Sequence, residues 1–185
     1  MTSYPYWQYF LAIEADFAAT TRYVEICSDN YKTYSVEYAK LLLASASEID
    51  VVCKILCKKL DTTANPGNMD DYRNCIVRHT ALSDEKVLVR RYNIELEPWK
   101  TWKGTCNPPW WSNYNKVKHQ RNQYYTEANL KNCINSVAAL FILVIYLHKA
   151  ERSNARLEPR PELLGRESEP GFMLLEDGYT VPDFR

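Results

Sequence analysis

Apolar positions recur at steps of three and four along several stretches of the chain, which predicts a helical protein. In the stretch 4–25 they are Trp7, Phe10, Leu11, Ile13, Phe17 and Val24, opening at Ser3-Tyr4-Pro5, where an early proline suits a helix start. In 34–60, Tyr38, Leu41, Leu42, Ser45, Ile49, Val52, Leu56 and Leu60 form a near-heptad stripe. Ser35 stands where an N-cap is expected. The small residues Ala44, Ser45, Ala46 and Ser47 would let another helix approach closely. The third stretch, 110–149, holds no proline and no glycine, and predicts one long helix. Its second half is apolar at Leu130, Cys133, Ile134, Val137, Ala138, Phe141, Val144 and Ile145, and apolar all round from Val137 to Leu147. A membrane span needs about 20 apolar residues. Asn132, Asn135 and Ser136 interrupt the run on one side and His148-Lys149 on the other. The pattern therefore reads as a central core helix, lying antiparallel to 34–60.

The period changes elsewhere. Met69 to His79 reads as a short helix after a loop containing Pro66 and Gly67. Val87 and Val89, then Ile94 and Leu96, stand two apart on either side of the polar stretch Arg90 to Asn93 and before Pro98, which predicts a small β-hairpin insert or two extended pieces. Beyond Lys149 the chain is charged and proline-spaced and is expected to run extended over the surface. Asp177-Gly178 between apolar runs predicts a second hairpin over 172–182, docked on the body or on a partner. The expected architecture is a mainly α helical bundle over 1–150, with two long antiparallel helices, a β-hairpin insert and an extended C-terminal tail over 151–185.

With 185 residues, 46% of them hydrophobic, one domain with a sizeable core is expected. The formal net charge is +0, so any attraction for nucleic acid has to come from a local patch. The 14 Tyr and 5 Trp suit cores, interfaces or base stacking. The 6 Cys form no CxxC pair, so no zinc knuckle or redox pair is expected from spacing, and small buried hydrophobes in a reducing cytosol are the plain reading. No Gly-rich phosphate loop, cofactor motif or metal-ligand cluster stands out. The start MTSYPYWQYF lacks a basic n-region and a long apolar run, which predicts no signal peptide and a cytoplasmic location.

The candidate chemistry lies in the first half of 110–149. Lys116, Lys118, His119 and Arg121 fall between Tyr114 and Tyr125, with no acid until Glu127. On one continuous helix this charge sits near the N-terminus, where it opposes the macrodipole. Asn115 and His119 share a face that Asn122 continues, and Lys118 and Arg121 flank it. Such a set, an amide, an imidazole and cations together, fits an anion. A solvated helix face accounts for the same pattern. Glu48 borders the stripe of 34–60 and would need a partner. Lys118, His119 or Arg121 are candidates, and such a pairing would raise the pKa of His119.

The segment Tyr114-Asn115-Lys116-Val117-Lys118-His119-Gln120-Arg121, followed by Glu127-Ala128-Asn129-Leu130-Lys131 and an apolar helix, resembles the HEPN superfamily. These are small helical-bundle domains of bacterial defence and toxin–antitoxin systems. Their motif is Arg, often a polar residue, then His, at the start of a late helix. The resemblance implies a homodimer whose subunits bring Arg and His together as a metal-independent endoribonuclease, His acting as acid or base and Arg stabilising charge. Asn115 and His119 match the polar and His positions, which makes them the candidate catalytic groups that the resemblance implies, with Lys116, Lys118, Arg121 and Asn122 as the RNA-binding groups beside them; the Arg position falls on Tyr114. A second match, Arg73-Asn74 to His79, fits the bare motif within the short segment 69–79. From a different class, a non-catalytic helical module could hold a protein partner through its aromatic surface or tail.

Overall fold

The computed structural model describes residues 4–152, 155 and 157–166. Five α-helices carry the fold: α1 (Pro5–Thr20), α2 (Val36–Leu60), α3 (Met69–His79), α4 (Pro109–Tyr124) and α5 (Leu130–Ala150). The mainly α architecture read from periodicity is the one observed. α1 begins with Pro5 in its first turn. The Ser35 side chain accepts from the Tyr38 N–H, capping α2 as expected. Asn68 does the same for α3, accepting from Asp70 and Asp71.

α5 is the centre. Every residue from Ser136 to Leu147 is buried. The helix is long and apolar enough to cross a membrane, with mean hydropathy 1.8, but 89% of that window is buried inside the protein. α1 runs antiparallel to it: Trp7 and Phe10 pack on Phe141, with ring centroids 5.9 and 5.4 Å away. Tyr4 at the head of α1 donates to Glu151 at the foot of α5. Each of these large side chains, once fully buried, contributes roughly 1.5–3 kcal/mol.

Two expectations for the long helices are corrected. First, 110–149 is not one helix. Gln120 leaves helical geometry at φ −141°, ψ 45°, and a 3₁₀ turn spans Tyr125–Glu127. Asn129 then caps a new helix by accepting from the Asn132 N–H. α4 folds back on α5, so that Asn113 donates to Asn132 at 3.4 Å. Second, α2 and α5 are parallel. Their contacts advance together: Ser35 N–H to the Ala128 carbonyl, Ser45 to Ser136 at 2.7 Å, Lys59 to Glu151 at 3.9 Å. The break at 125–129 is the reason, because it lets the chain reverse before α5 begins. It is α4 that lies antiparallel to α2.

The hairpin insert is present as β1 (Val87–Val89) and β2 (Ile94–Leu96), turned through Asn93 in the left-handed region at φ 51°, a conformation asparagine tolerates. A third strand, β3 (Leu164–Arg166), pairs antiparallel with β1, giving the order β2-β1-β3. The segment after α5 is therefore extended but not superficial, with Leu157, Leu163, Leu164 and Arg166 buried. The Arg90 guanidinium lies over Gly165, where a Cβ would have to displace it. The hairpin expected over 172–182 lies outside the described residues.

Candidate functional site

The working half of 110–149 divides at its own helix. Up to Val117, α4 is a packing element. Trp110 and Tyr114 are buried, and Trp110 donates to the Pro98 carbonyl at 2.9 Å. Trp99, Trp102, Trp110 and Trp111 form a continuous ring cluster that Tyr114 extends. Beyond Val117 the residues from Lys118 to Gln123 are all exposed. The cations consequently sit toward the C-terminal end of α4, where the macrodipole stabilises them. The cost expected from one continuous helix is absent, because the helix ends at Tyr124.

Lys118, His119, Arg121 and Asn122 line one wall of a groove of about 860 Å³. The opposite wall is the start of α2, from Val36, Ala39, Lys40 and Leu43, and Val117 and Tyr125 complete it. The groove has an apolar floor, a basic rim and no carboxylate in its lining. Lys40 is the one rim cation with an acid beside it, Glu37 at 2.8 Å. Among the described residues, Lys118, His119 and Arg121 have no hydrogen-bond or ion-pair partner; Lys118 lies over the Tyr114 ring at 5.6 Å. Tyr34 and Tyr125 meet edge-to-face at 5.4 Å where α2 and the 125–127 turn come together.

Not every predicted residue belongs. Asn115 turns away from the groove and donates to the Trp111 carbonyl four residues back. Lys116 bonds Asn113 and lies over the Tyr124 ring at 5.7 Å. Glu48 makes no hydrogen bond or ion pair among the described residues, with Lys118, His119, Arg121 or any other group. Its carboxyl is held above the usual range by burial alone, and its charge is felt by Tyr6 on α1.

The second motif does not converge. Arg73 pairs with Asp70 at 2.8 Å and donates to Asn107. His79 bonds the Cys75 carbonyl and lines a separate cavity of about 280 Å³ with Asn74, Cys75 and Arg78. Six residues apart on a helix, the two side chains point about 120° away from each other.

Sequence reasoning missed the α2 wall. Val36 is 64% exposed, unusual for a valine opening a long helix. With Ala39, Lys40 and Leu43 it makes a second strip at helical spacing, beside the buried stripe already noted. Among the described residues, no group of His, Cys, Asp and Glu is arranged to hold a metal ion. Compared with known proteins, the chain matches no family model, no curated protein and no solved structure.

Proposed function

We propose that the α2–α4 groove binds single-stranded RNA through its phosphate backbone, as a HEPN-like RNA-binding protein. One observation carries the reading: Lys118 and Arg121 stand exposed on the rim without an acid partner, in a lining that contains no carboxylate. Cations left unpaired beside a groove contribute little to folding and are free to neutralise phosphates. His119 and Asn122 add hydrogen-bonding groups beside them. The Tyr34–Tyr125 pair offers ring surface on which an unpaired base can stack, an interaction worth about 1–3 kcal/mol per base.

The reading covers binding and stops short of cleavage. Tyr114 occupies the family's Arg position and is only 4% exposed. His119 has no partner among the described residues to fix its tautomer or orientation, whereas a general acid or base is normally held by a second group. A second reading, a protein-interaction module, is favoured by the apolar side chains Val36, Ala39, Leu43 and Val117 in the groove lining; an acidic amphipathic peptide would suit it.

The test is fluorescence anisotropy with a labelled single-stranded RNA and an acidic amphipathic peptide of matched charge. RNA binding that falls at least tenfold in Lys118→Ala/Arg121→Ala supports the proposal. Peptide binding without RNA binding overturns it in favour of the second reading. Incubating wild type and His119→Ala with RNA in EDTA asks separately about metal-independent cleavage.

A further inference from the structure

Spacing along the chain pairs no two cysteines as a redox motif, but folding does. Cys57 lies in the last turns of α2 and Cys75 in the middle of α3, which packs on it. The Cys75 thiol donates to the Cys57 carbonyl at 3.8 Å, so the two residues meet where α3 packs on α2. They differ in access. Cys57 is fully buried, while Cys75 is half-buried and lines the open cavity of about 280 Å³ beside His79, Arg78, Asp61 and Asp71.

We infer that Cys75 and Cys57 form a peroxide-responsive thiol pair, Cys75 meeting the oxidant in the cavity and Cys57 resolving it as an intramolecular disulfide. In the first step the Cys75 sulfur attacks one oxygen of a hydroperoxide. The O–O bond breaks, and the departing oxygen leaves as water or alcohol with the thiol proton. The product is a sulfenic acid at Cys75. In the second step the Cys57 sulfur gives up its proton and attacks the Cys75 sulfur. The S–O bond breaks and water leaves. Two thiols are oxidised by two electrons, and one hydroperoxide is reduced.

The surroundings fit this division of roles. The Cys75 carbonyl accepts from His79 Nδ1 at 2.8 Å, so the neutral ring keeps its lone pair on Nε2, on a side chain that lines the same cavity. Arg78 lines the same cavity, together with the carboxylates of Asp61 and Asp71. Burial pushes the Cys57 thiol up, with the Cys75 thiol adding to the effect, so Cys57 is not the first to react. Cys53, one turn earlier in α2, is fully buried and likewise pushed up. The pair lies toward the foot of α2, away from Val36 and Lys40 at its head, so the inference stands or falls apart from the RNA reading.

The experiment uses the full chain with Cys27→Ser/Cys106→Ser, which removes two further accessible thiols. The protein is treated with hydrogen peroxide and read by intact and peptide mass spectrometry under non-reducing conditions. The expected result is a loss of about 2 Da, mapped to a Cys57–Cys75 linked peptide and reversed by dithiothreitol. Cys75→Ser should remove it. Cys57→Ser should leave a sulfenic acid at Cys75, trapped by dimedone. A gain of about 16 or 32 Da at Cys75 with no linked species, a link from Cys75 to Cys53, or no reaction at Cys75, would each overturn the inference.

Discussion

The two ends of the bundle handle charge in opposite ways. Where β3 docks, charge is buried and every group is answered. Glu14, 2% exposed, accepts from the backbone N–H groups of Glu162, Leu163 and Leu164 at 3.0, 2.7 and 3.1 Å. Arg166 meets Glu85 through both Nε and Nη2, with side-chain exposures of 6% and 11%. Tyr146 of α5 donates to the same carboxylate at 2.8 Å. At the groove, Lys118, His119 and Arg121 are exposed and answered by no acid among the described residues. Buried charge must be partnered to exist at all, so the first set reads as structure. Exposed charge without a partner adds almost nothing to folding, so the second set is available to a ligand.

The contrast breaks most sharply at Glu85. Glu85→Ala removes the carboxylate that Arg166 meets through Nε and Nη2 and that Tyr146 donates to, and should cost up to about 3–5 kcal/mol in urea unfolding. Glu85→Leu with Arg166→Met should recover most of that loss, since replacing both ions with apolar groups removes the desolvation problem. Equal loss in the single and double variants would contradict a pairing role.

Glu14→Ala comes next. It strips three backbone donors of a charged acceptor, a loss of about 3 kcal/mol. Hydrogen exchange should quicken at Leu163 and Leu164 before the helices respond. Unchanged protection there would mean that β3 is held by its ladder alone.

A smaller effect sharpens the comparison at a position between the two ends. Glu48 is half-buried without a partner, and desolvation lifts its pKa above the ordinary value of 4.5. A raised carboxylate pKa means that the folded state holds the proton more tightly than the unfolded state. Stability from this group is fully present below the ordinary value and is lost as pH rises through the folded value. Glu48→Gln should therefore stabilise the protein at about pH 7 and change little at about pH 4. A gain of the same size at both pH values would show that the carboxyl is not desolvated.

How much of this was legible in the sequence depended on whether the signal was local. Helices α1, α2 and α3, the cap at Ser35 and the hairpin at 87–96 follow from period and turn chemistry, and they lie close to where the pattern placed them. The break between α4 and α5 was masked because Tyr125–Asn129 contains no glycine or proline. Its one local mark is Asn129, whose side chain caps α5 three residues before Asn132. The error then propagated, because a continuous helix reverses the direction of α5 relative to α2 and puts the cations at the wrong pole of a dipole. The groove was half legible. His119, Lys118, Arg121 and Asn122 stood out as an acid-free cluster, whereas Val36, Lys40 and Leu43 join them only through packing at long range. The Glu14 and Glu85 networks and the Cys57–Cys75 pair are tertiary, with nothing in the local sequence to announce them.

The central claim is that the free cations at the groove meet RNA phosphates, and the salt dependence of affinity measures it directly. Each phosphate contact made by a single strand contributes a slope of about −0.7 in log Kobs against log salt. Lys118→Ala/Arg121→Ala should shift stability by less than about 0.5 kcal/mol, as expected for exposed positions. Its slope should be shallower than wild type by about 1.4. A slope identical to wild type, in a variant that is equally well folded, would contradict the account.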